Sequence, residues 1–192
     1  MATRDKGYYL HIDEDEGFTV WADSDFSGNW DPEHAMHDPN TARSRSGYFI
    51  TYLGAPLMWK SSLQAEIALS TCEAEYICLS QALRKVIPIM DLVQELKDKG
   101  VPVGGTQPTV KCKMFEDNSA ALTLANAPAM HPRTKHINVK YHFFRRHVYS
   151  PSNPSGRIKI MACKSADNIA DILTKPVDLV TLLRLRYRAM GW

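Results

Sequence analysis

A long segment with helical periodicity is the feature of this sequence that most constrains the fold. Its apolar residues recur at steps of three and four from Tyr76 to Leu96, which is the spacing of one buried helix face. Strand-like runs come before this segment, and strand-like and helical runs alternate after it. Because strands with helices on both sides pack as a covered sheet, this order predicts one mixed α/β sheet.

The predicted strands are short runs of β-branched and aromatic residues that are bounded by turn formers. They comprise residues 7–12, 18–22, 47–53, 57–60, 109–115 and 157–162, with a further short candidate at 67–69. The acidic run at 13–17 separates the first two strands, and we interpret it as a solvated hairpin tip.

The predicted helices begin with the long one, which starts at Ser70. Ser70 and Glu73 have the spacing of a capping box, in which the glutamate side chain folds back on the Ser70 amide. Pro88 lies inside the periodic segment and is expected to kink or split the helix. Further helices are predicted over residues 119–126, 131–148, 168–175 and 179–190.

Composition excludes several classes of protein. The 192 residues carry a net charge of only +2, so affinity for nucleic acid has to come from a local basic patch. The four cysteines have neither C-x-x-C pairing nor zinc-ligand spacing, and we expect reduced thiols. No apolar run has the length of a membrane span, and no signal-peptide core is present, so we expect a soluble intracellular protein with no membrane partner.

Four carboxylates lie where the predicted strands and helices meet. Asp23 and Asp117 follow predicted strands, Glu75 is in the first turns of the long helix, and Asp171 is on a short helix. Carboxylates from separate elements that converge at one sheet edge would form an oxygen site suited to Mg²⁺. Two such ions about 3.5–4 Å apart can activate a water and stabilise the leaving oxygen of a phosphodiester.

Each of these acids also has an ordinary structural interpretation. Asp23 can be a turn former at a strand end, and Asp117 can cap the helix that follows it. Glu75 can interact favourably with a helix dipole, and Asp171 can be a solvated helix residue. Spacing alone therefore does not show that the four side chains converge.

Neighbouring acids help to choose among the candidates. Glu73 and Asp167 are interpreted as capping residues, which leaves the acids at positions 75 and 171 free to point elsewhere. Asp23 and Asp25 lie on the same strand face, so strand geometry does not choose between them.

The strongest local cationic patch is the predicted helix 131–148, which contains no acid. Its apolar stripe at positions 137, 141, 144 and 148 is expected to pack on the core, and the other faces present cations to phosphates. A solvated structural helix is the alternative. The candidate nucleic-acid-binding residues are Arg133, Lys135, His136, Lys140, Arg145 and Arg146.

Seven motifs resemble those of the ribonuclease H domain of copia-type retrotransposon polyproteins, and they occur in the family's order. They are ADSDFSG at 22–28, SRSGY at 44–48, MWKS at 58–61, LSTCEAEY at 69–76, EDNSAA at 116–121, HPRTKHI at 131–137 with YHF at 141–143, and IADILTKP at 169–176. The chain is similar to this family from about Ala22 to Pro176, which is most of its length.

The resemblance implies a ribonuclease H-like fold, with a five-stranded mixed sheet and helices on both faces. It also implies an endoribonuclease that cuts the RNA strand of RNA–DNA hybrids during reverse transcription and uses two Mg²⁺ ions, for which Mn²⁺ can substitute. By motif matching, Asp23, Glu75, Asp117 and Asp171 are the catalytic and metal-binding set. Asp23 and Asp117 would contact both ions, Glu75 the leaving-group ion, and Asp171 the nucleophile-side ion.

The sequence departs from the family pattern at two places. The S-K-K-Q run of the family is SSLQ at 61–64 here, so two cationic positions that could contact substrate are missing. The loop at 163–166 lacks the histidine that cellular ribonucleases H carry before the last acid, and no role in product release is transferred.

The resemblance also implies an organisation for the chain. We expect residues 18–176 to form the ribonuclease H domain, residues 1–17 to form a strand and a connection to an upstream reverse transcriptase, and residues 177–192 to form a C-terminal helix. The expected location is the cytoplasm, within a virus-like particle, with the nucleus as an alternative. Two other functions remain open: a non-catalytic module of the same fold that binds nucleic acid or a protein, and an integrase-like nuclease.

Overall fold

The central element of the fold is a five-stranded mixed sheet, seen in a computed structural model that describes residues 12–34, 37–127, 137 and 139–191. In spatial order the strands are β3 (Ala55–Leu63), β2 (Arg45–Tyr52), β1 (Phe18–Asp25), β4 (Cys112–Glu116) and β5 (Ile158–Ala162). β1, β2 and β3 pair antiparallel, whereas β1, β4 and β5 pair parallel. The mixed five-stranded sheet predicted from the sequence is confirmed.

Helices cover both faces of the sheet, as predicted. α1 (Thr71–Asp98) and α2 (Ser119–Asn126) pack on one face, and α3 (Leu179–Met190) packs on the other beside the 3₁₀ helix Ile169–Leu173. Further 3₁₀ helices lie at Pro39–Ala42, Val139–Tyr141, Phe143–His147 and Ser165–Asp167. None of the helices within the described ranges has the length and apolarity needed to cross a membrane.

The start of α1 is fixed by a pair of reciprocal caps. The Glu73 amide donates to Oγ of Ser70 at 3.1 Å, and Oε2 of Glu73 accepts from the Leu69 amide at 2.8 Å. The predicted capping box is therefore present, although the glutamate reaches one residue further back than expected. Pro88 lies inside α1, which continues to Asp98, so the predicted split does not occur.

The alternation of each strand divides the core between the two faces. Val20 and Met114 point towards α1, where they join a large cluster that includes Tyr76 and Leu79. On the opposite face, Trp21 packs with Phe49, Ile169 and Ala189. Since consecutive residues of a strand face opposite sides, Asp23 emerges on the Trp21 side, above the 3₁₀ helix Ile169–Leu173.

Three predicted elements differ in the structure. Residues 67–69 form no strand, and the helix predicted at 168–175 is the shorter 3₁₀ helix Ile169–Leu173. The described part of the predicted helix 131–148 is two short 3₁₀ helices, because its run of aromatic and histidine residues favours an α-helix only weakly. The predicted strand at 7–12 lies almost wholly outside the described residues.

The apolar stripe of this basic segment is nevertheless buried as predicted. Ile137, Tyr141, Phe144 and Val148 are each no more than 4% exposed and join the α1 side of the core. The spacing of the apolar residues therefore predicted correctly which side chains are buried. It predicted an α-helix wrongly, since the described part of the segment forms 3₁₀ helices.

Candidate metal centre

The candidate centre lies at the carboxyl ends of two neighbouring parallel strands. The parallel pairing of β1 and β4 ends with Trp21 opposite Phe115, so Asp23, two residues further along β1, and Asp117, which follows β4, lie at the same sheet edge. α1 packs against β1 and places Glu75 at this edge from the other side. Asp23, Glu75 and Asp117 each offer a carboxylate oxygen, and these oxygens all lie within 4.8 Å of one another.

The burial of this group fits a bound cation. Asp23 is 2% exposed and Glu75 is 7% exposed, and Oε2 of Glu75 has no hydrogen-bond partner among the described residues. A buried carboxylate oxygen without a partner is unfavourable unless a cation or a proton compensates it. Three convergent carboxylates are the oxygen ligands that Mg²⁺ prefers, so these residues fit a divalent ion.

Asp171, the fourth predicted acid, lies next to Asp23 but is joined to it through a lysine. Nζ of Lys175 is 3.1 Å from Oδ1 of Asp171 and 3.6 Å from Oδ1 of Asp23. Oγ1 of Thr174 donates a hydrogen bond to Oδ2 of Asp23. The structure therefore brings three of the four acids together directly, and it connects the fourth through an ammonium group.

Burial raises the pKa of two carboxyl groups of the site. Burial raises the pKa of Asp23 to about 6, against the lowering effect of the Thr174 hydrogen bond. Burial, together with the charge of Glu116, raises the pKa of Glu75 to about 10. Burial opposes the charge of Lys175, but Asp23 and Asp171 outweigh it and raise the pKa of the ammonium.

Glu116 is a buried acid of the site that the sequence reasoning missed. It is 0% exposed, its Oε1 accepts from the Asn118 amide at 3.0 Å, and its Oε2 has no partner within the described part of the chain. Burial raises its pKa to about 8. The signal was available in the sequence, since alternation along β4 places position 116 on the same buried face as Met114.

The structure separates the neighbouring acids that the sequence left ambiguous. The carboxylate of Asp25 lies over Gly28, where a Cβ would overlap it, and Asp25 is not part of the three-acid group. Asp167 was interpreted as a helix cap, but the side chain of Asn168 caps the 3₁₀ helix that carries Asp171. Asp167 instead forms an ion pair with Arg188.

A buried glutamine, Gln64, joins the two elements next to the candidate centre. Nε2 of Gln64 donates to Oγ of Ser46 at 2.9 Å and to the Ala74 carbonyl at 2.8 Å. Gln64 therefore ties β2 to the first turns of α1, next to Glu75. Gln64 and Ser61 are the two positions of the SSLQ run that keep the residue of the family pattern.

The candidate nucleic-acid-binding residues are only partly described. Arg133, Lys135 and His136 lie outside the described residues. The other three have local contacts: Lys140 pairs with Glu66, Arg145 donates to the Ala127 carbonyl, and Arg146 donates to His147. Their role in binding remains a prediction.

Comparison with known proteins finds relatives over most of the chain. It is 34% identical over 140 residues to the retrovirus-related Pol polyprotein from transposon TNT 1-94 of Nicotiana tabacum, which is 73% of this chain and 10% of that protein. It is 31% identical over 179 residues to the Pol polyprotein from transposon RE2 of Arabidopsis thaliana, which is 93% of this chain and 11% of that protein. The chain thus spans about a tenth of the length of these relatives.

A solved structure shares the fold. LC11-RNase H1, isolated from compost by a metagenomic approach, superposes with a TM-score of 0.52 at 16% sequence identity. The match covers 83% of this chain and 93% of that one. No family model matches this chain.

Proposed function

Since this chain is a relative of the copia-type retrotransposon Pol polyproteins and has a ribonuclease H-like fold, we propose that it is a ribonuclease H. The reaction is hydrolysis of the RNA strand of an RNA–DNA hybrid during reverse transcription of the element. The observation that carries the proposal is the convergence of Asp23, Glu75 and Asp117 within 4.8 Å at the sheet edge.

The proposed cofactor is Mg²⁺, with Mn²⁺ as a substitute. When bound, such ions activate a water molecule and stabilise charge on the scissile phosphate and the leaving oxygen. Asp23, Glu75 and Asp117 would hold the first ion. Asp171 would complete the set of four acids and help to hold a second ion.

The protein residues have separate tasks in this proposal. The three convergent carboxylates supply negative charge at one position, and the burial of Asp23 and Glu75 limits the access of bulk water. The hydroxyl group of Thr174 orients Asp23 by donating a hydrogen bond to its Oδ2. The other oxygen, Oδ1, then faces the ammonium of Lys175. Gln64 holds the first turns of α1 against β2 and so keeps Glu75 at the edge.

The proposed substrate contacts involve the basic segment. Lys140, Arg145 and Arg146, with Arg133, Lys135 and His136, would contact the phosphates of the hybrid. A-form-like duplexes are recognised by shape and by 2′-hydroxyl groups, so little base specificity is expected. An upstream reverse transcriptase would deliver the hybrid, and a cytoplasmic virus-like particle would be the site of action.

A substrate panel tests the proposal. The purified chain is incubated with Mg²⁺ and an end-labelled RNA–DNA hybrid, duplex DNA or single-stranded RNA of one sequence. We expect cleavage of the RNA strand in the hybrid alone, and loss of that cleavage in EDTA. Binding of the hybrid without metal-dependent cleavage would contradict the proposal and would favour a non-catalytic module of the same fold.

A further inference from the structure

Lys175 lies between two carboxylates that a second ion would need. Its Nζ contacts Oδ1 of Asp171 at 3.1 Å and Oδ1 of Asp23 at 3.6 Å. Both acids are buried, with side chains 9% and 3% exposed. The three-acid group at the sheet edge uses Asp23 but not Asp171.

We propose that Lys175 is an internal cation that occupies the second cation position, so that a second divalent ion binds only by displacing its ammonium. The inference rests on the proposed function, because it concerns the same carboxylates. It divides the site into a position ready for an ion, at Asp23, Glu75 and Asp117, and a position already filled by the protein, at Asp23 and Asp171.

The local fold explains why the lysine reaches both acids. The Lys175 amide donates to the Asp171 carbonyl at 3.2 Å, which places the two side chains one turn apart on the same side. The preceding residue, Thr174, is anchored to Asp23 by its hydroxyl group. The side chain of Lys175 therefore lies next to Asp171 and within reach of Asp23.

The same geometry allows the ammonium to leave. The side chain of Lys175 is 38% exposed, whereas the two carboxylates are buried. A lysine has a long flexible stem and a strongly hydrated ammonium, so it can move into water without disturbing the core. Displacing it breaks two ion pairs, with Asp23 and with Asp171, and leaves both carboxylates to the incoming ion.

Titration with Mn²⁺ tests the inference without nucleic acid or turnover. Free Mn²⁺ is followed by electron paramagnetic resonance in the wild-type chain and in Lys175→Met, which removes the charge and keeps a long apolar side chain. We expect the wild type to bind one ion well before a second. In Lys175→Met the dissociation constant of the second ion should fall by at least about tenfold, because a repelling charge is gone.

Two further variants separate occupation of the position from a general effect of charge. Lys99→Met removes an exposed lysine that pairs with Glu95 at the far end of α1, and it should leave both constants unchanged. Asp171→Asn in the Lys175→Met background should abolish the gain, because Asp171 is the ligand that the lysine covers. The gained ion should also give the spin-coupled spectrum of a close Mn²⁺ pair.

The outcomes distinguish the inference from the proposed function. An unchanged or larger second dissociation constant in Lys175→Met, or a gain that survives Asp171→Asn, would overturn the inference and leave the first site intact. Absence of any Mn²⁺ binding by the wild type, or first-ion binding that Asp117→Asn does not weaken, would instead overturn the proposed metal site.

Discussion

The side-chain amide of Asn168 donates a hydrogen bond of 2.7 Å to the carbonyl oxygen of Ala22, and both groups are buried. Oδ1 of Asn168 also accepts from the Ala170 amide and so caps the 3₁₀ helix Ile169–Leu173. One side chain therefore fixes the helix that carries Asp171 to the strand that carries Asp23.

Replacement of Asn168 by alanine should destabilise the protein and loosen the site. The variant leaves the buried Ala22 carbonyl without its donor and removes the cap, so we expect a loss of about 2–3 kcal/mol in the free energy of unfolding. Asn168→Ser can still cap the helix but cannot reach the Ala22 carbonyl. Its stability should lie between that of the wild type and that of Asn168→Ala. Urea unfolding measures the series, and three equal midpoints would contradict this role.

Gly47 is a second point at which the strand and the 3₁₀ helix meet. It lies opposite Asp23 in the β1–β2 pairing, and a Cβ there would be 2.6 Å from Cγ2 of Thr174 and 2.9 Å from Cβ of Leu173. Gly47→Ala should therefore cost about 1–3 kcal/mol of stability through overpacking. Thr174→Ser removes the clashing methyl group and keeps the hydroxyl group, so it should restore part of that stability.

The outcome for Gly47 is measured by thermal unfolding of both single variants and the double variant. We expect Gly47→Ala to unfold at the lowest temperature and the double variant to unfold above it. A double variant as unstable as the sum of the two single changes would show that Thr174 is not the obstacle.

Binding of a divalent ion should release protons and strengthen as the pH rises. The metal-free site raises the pKa of Asp23 to about 6 and that of Glu75 to about 10, so both carboxyl groups hold protons below these values. A cation must displace those protons, and each one released should increase affinity by about tenfold per pH unit. Calorimetric titration with Mn²⁺ in buffers of different ionisation enthalpy measures the number released, and buffer-independent heats at every pH would contradict the account.

Glu116 should destabilise the metal-free protein at alkaline pH. Its folded pKa of about 8 exceeds the ordinary value of 4.5, so the folded state binds more protons than the unfolded state between these values. Its contribution to stability therefore falls as pH rises through that window. Glu116→Gln removes the charge and should gain about 1–3 kcal/mol relative to wild type above pH 8, and much less near pH 5.

A matched control keeps the Glu116 prediction specific. Glu95→Gln makes the same chemical change at an exposed position that pairs with Lys99, and it should show no comparable dependence on pH. Urea unfolding in EDTA measures all three proteins. A Glu116→Gln variant that is less stable than wild type at alkaline pH would show that the carboxylate has a stabilising partner.

Sequence periodicity predicted those parts of the fold that depend on local signals. Residues 119–126 and 179–190 are helices with the predicted bounds, because Asn118 and Asp178 cap them. The strands from Phe18 onwards were placed within a few residues, because alternation and turn formers mark them. The basic segment was misassigned, since its conformation depends on how Tyr141 and Phe144 fit against the core.

The candidate site was predictable only as a set of positions. Motif matching named Asp23, Glu75 and Asp117, which the structure brings together, but their convergence depends on the β1–β4 pairing. The sequence indicates Lys175 only as part of the motif at 169–176, because its contact with Asp23 joins residues more than 150 positions apart. Such contacts appear only when the chain has folded.

The central claim is that three carboxylates hold the cation on which cleavage of a hybrid depends. The most direct measurement compares Mg²⁺-dependent cleavage of one RNA–DNA hybrid by the wild type and by Asp117→Asn, with folding and hybrid affinity measured in parallel. We expect cleavage to fall to the level seen in EDTA, while the unfolding midpoint and the affinity for the hybrid stay close to wild type. A variant that still cleaves the hybrid at the wild-type rate would contradict the claim.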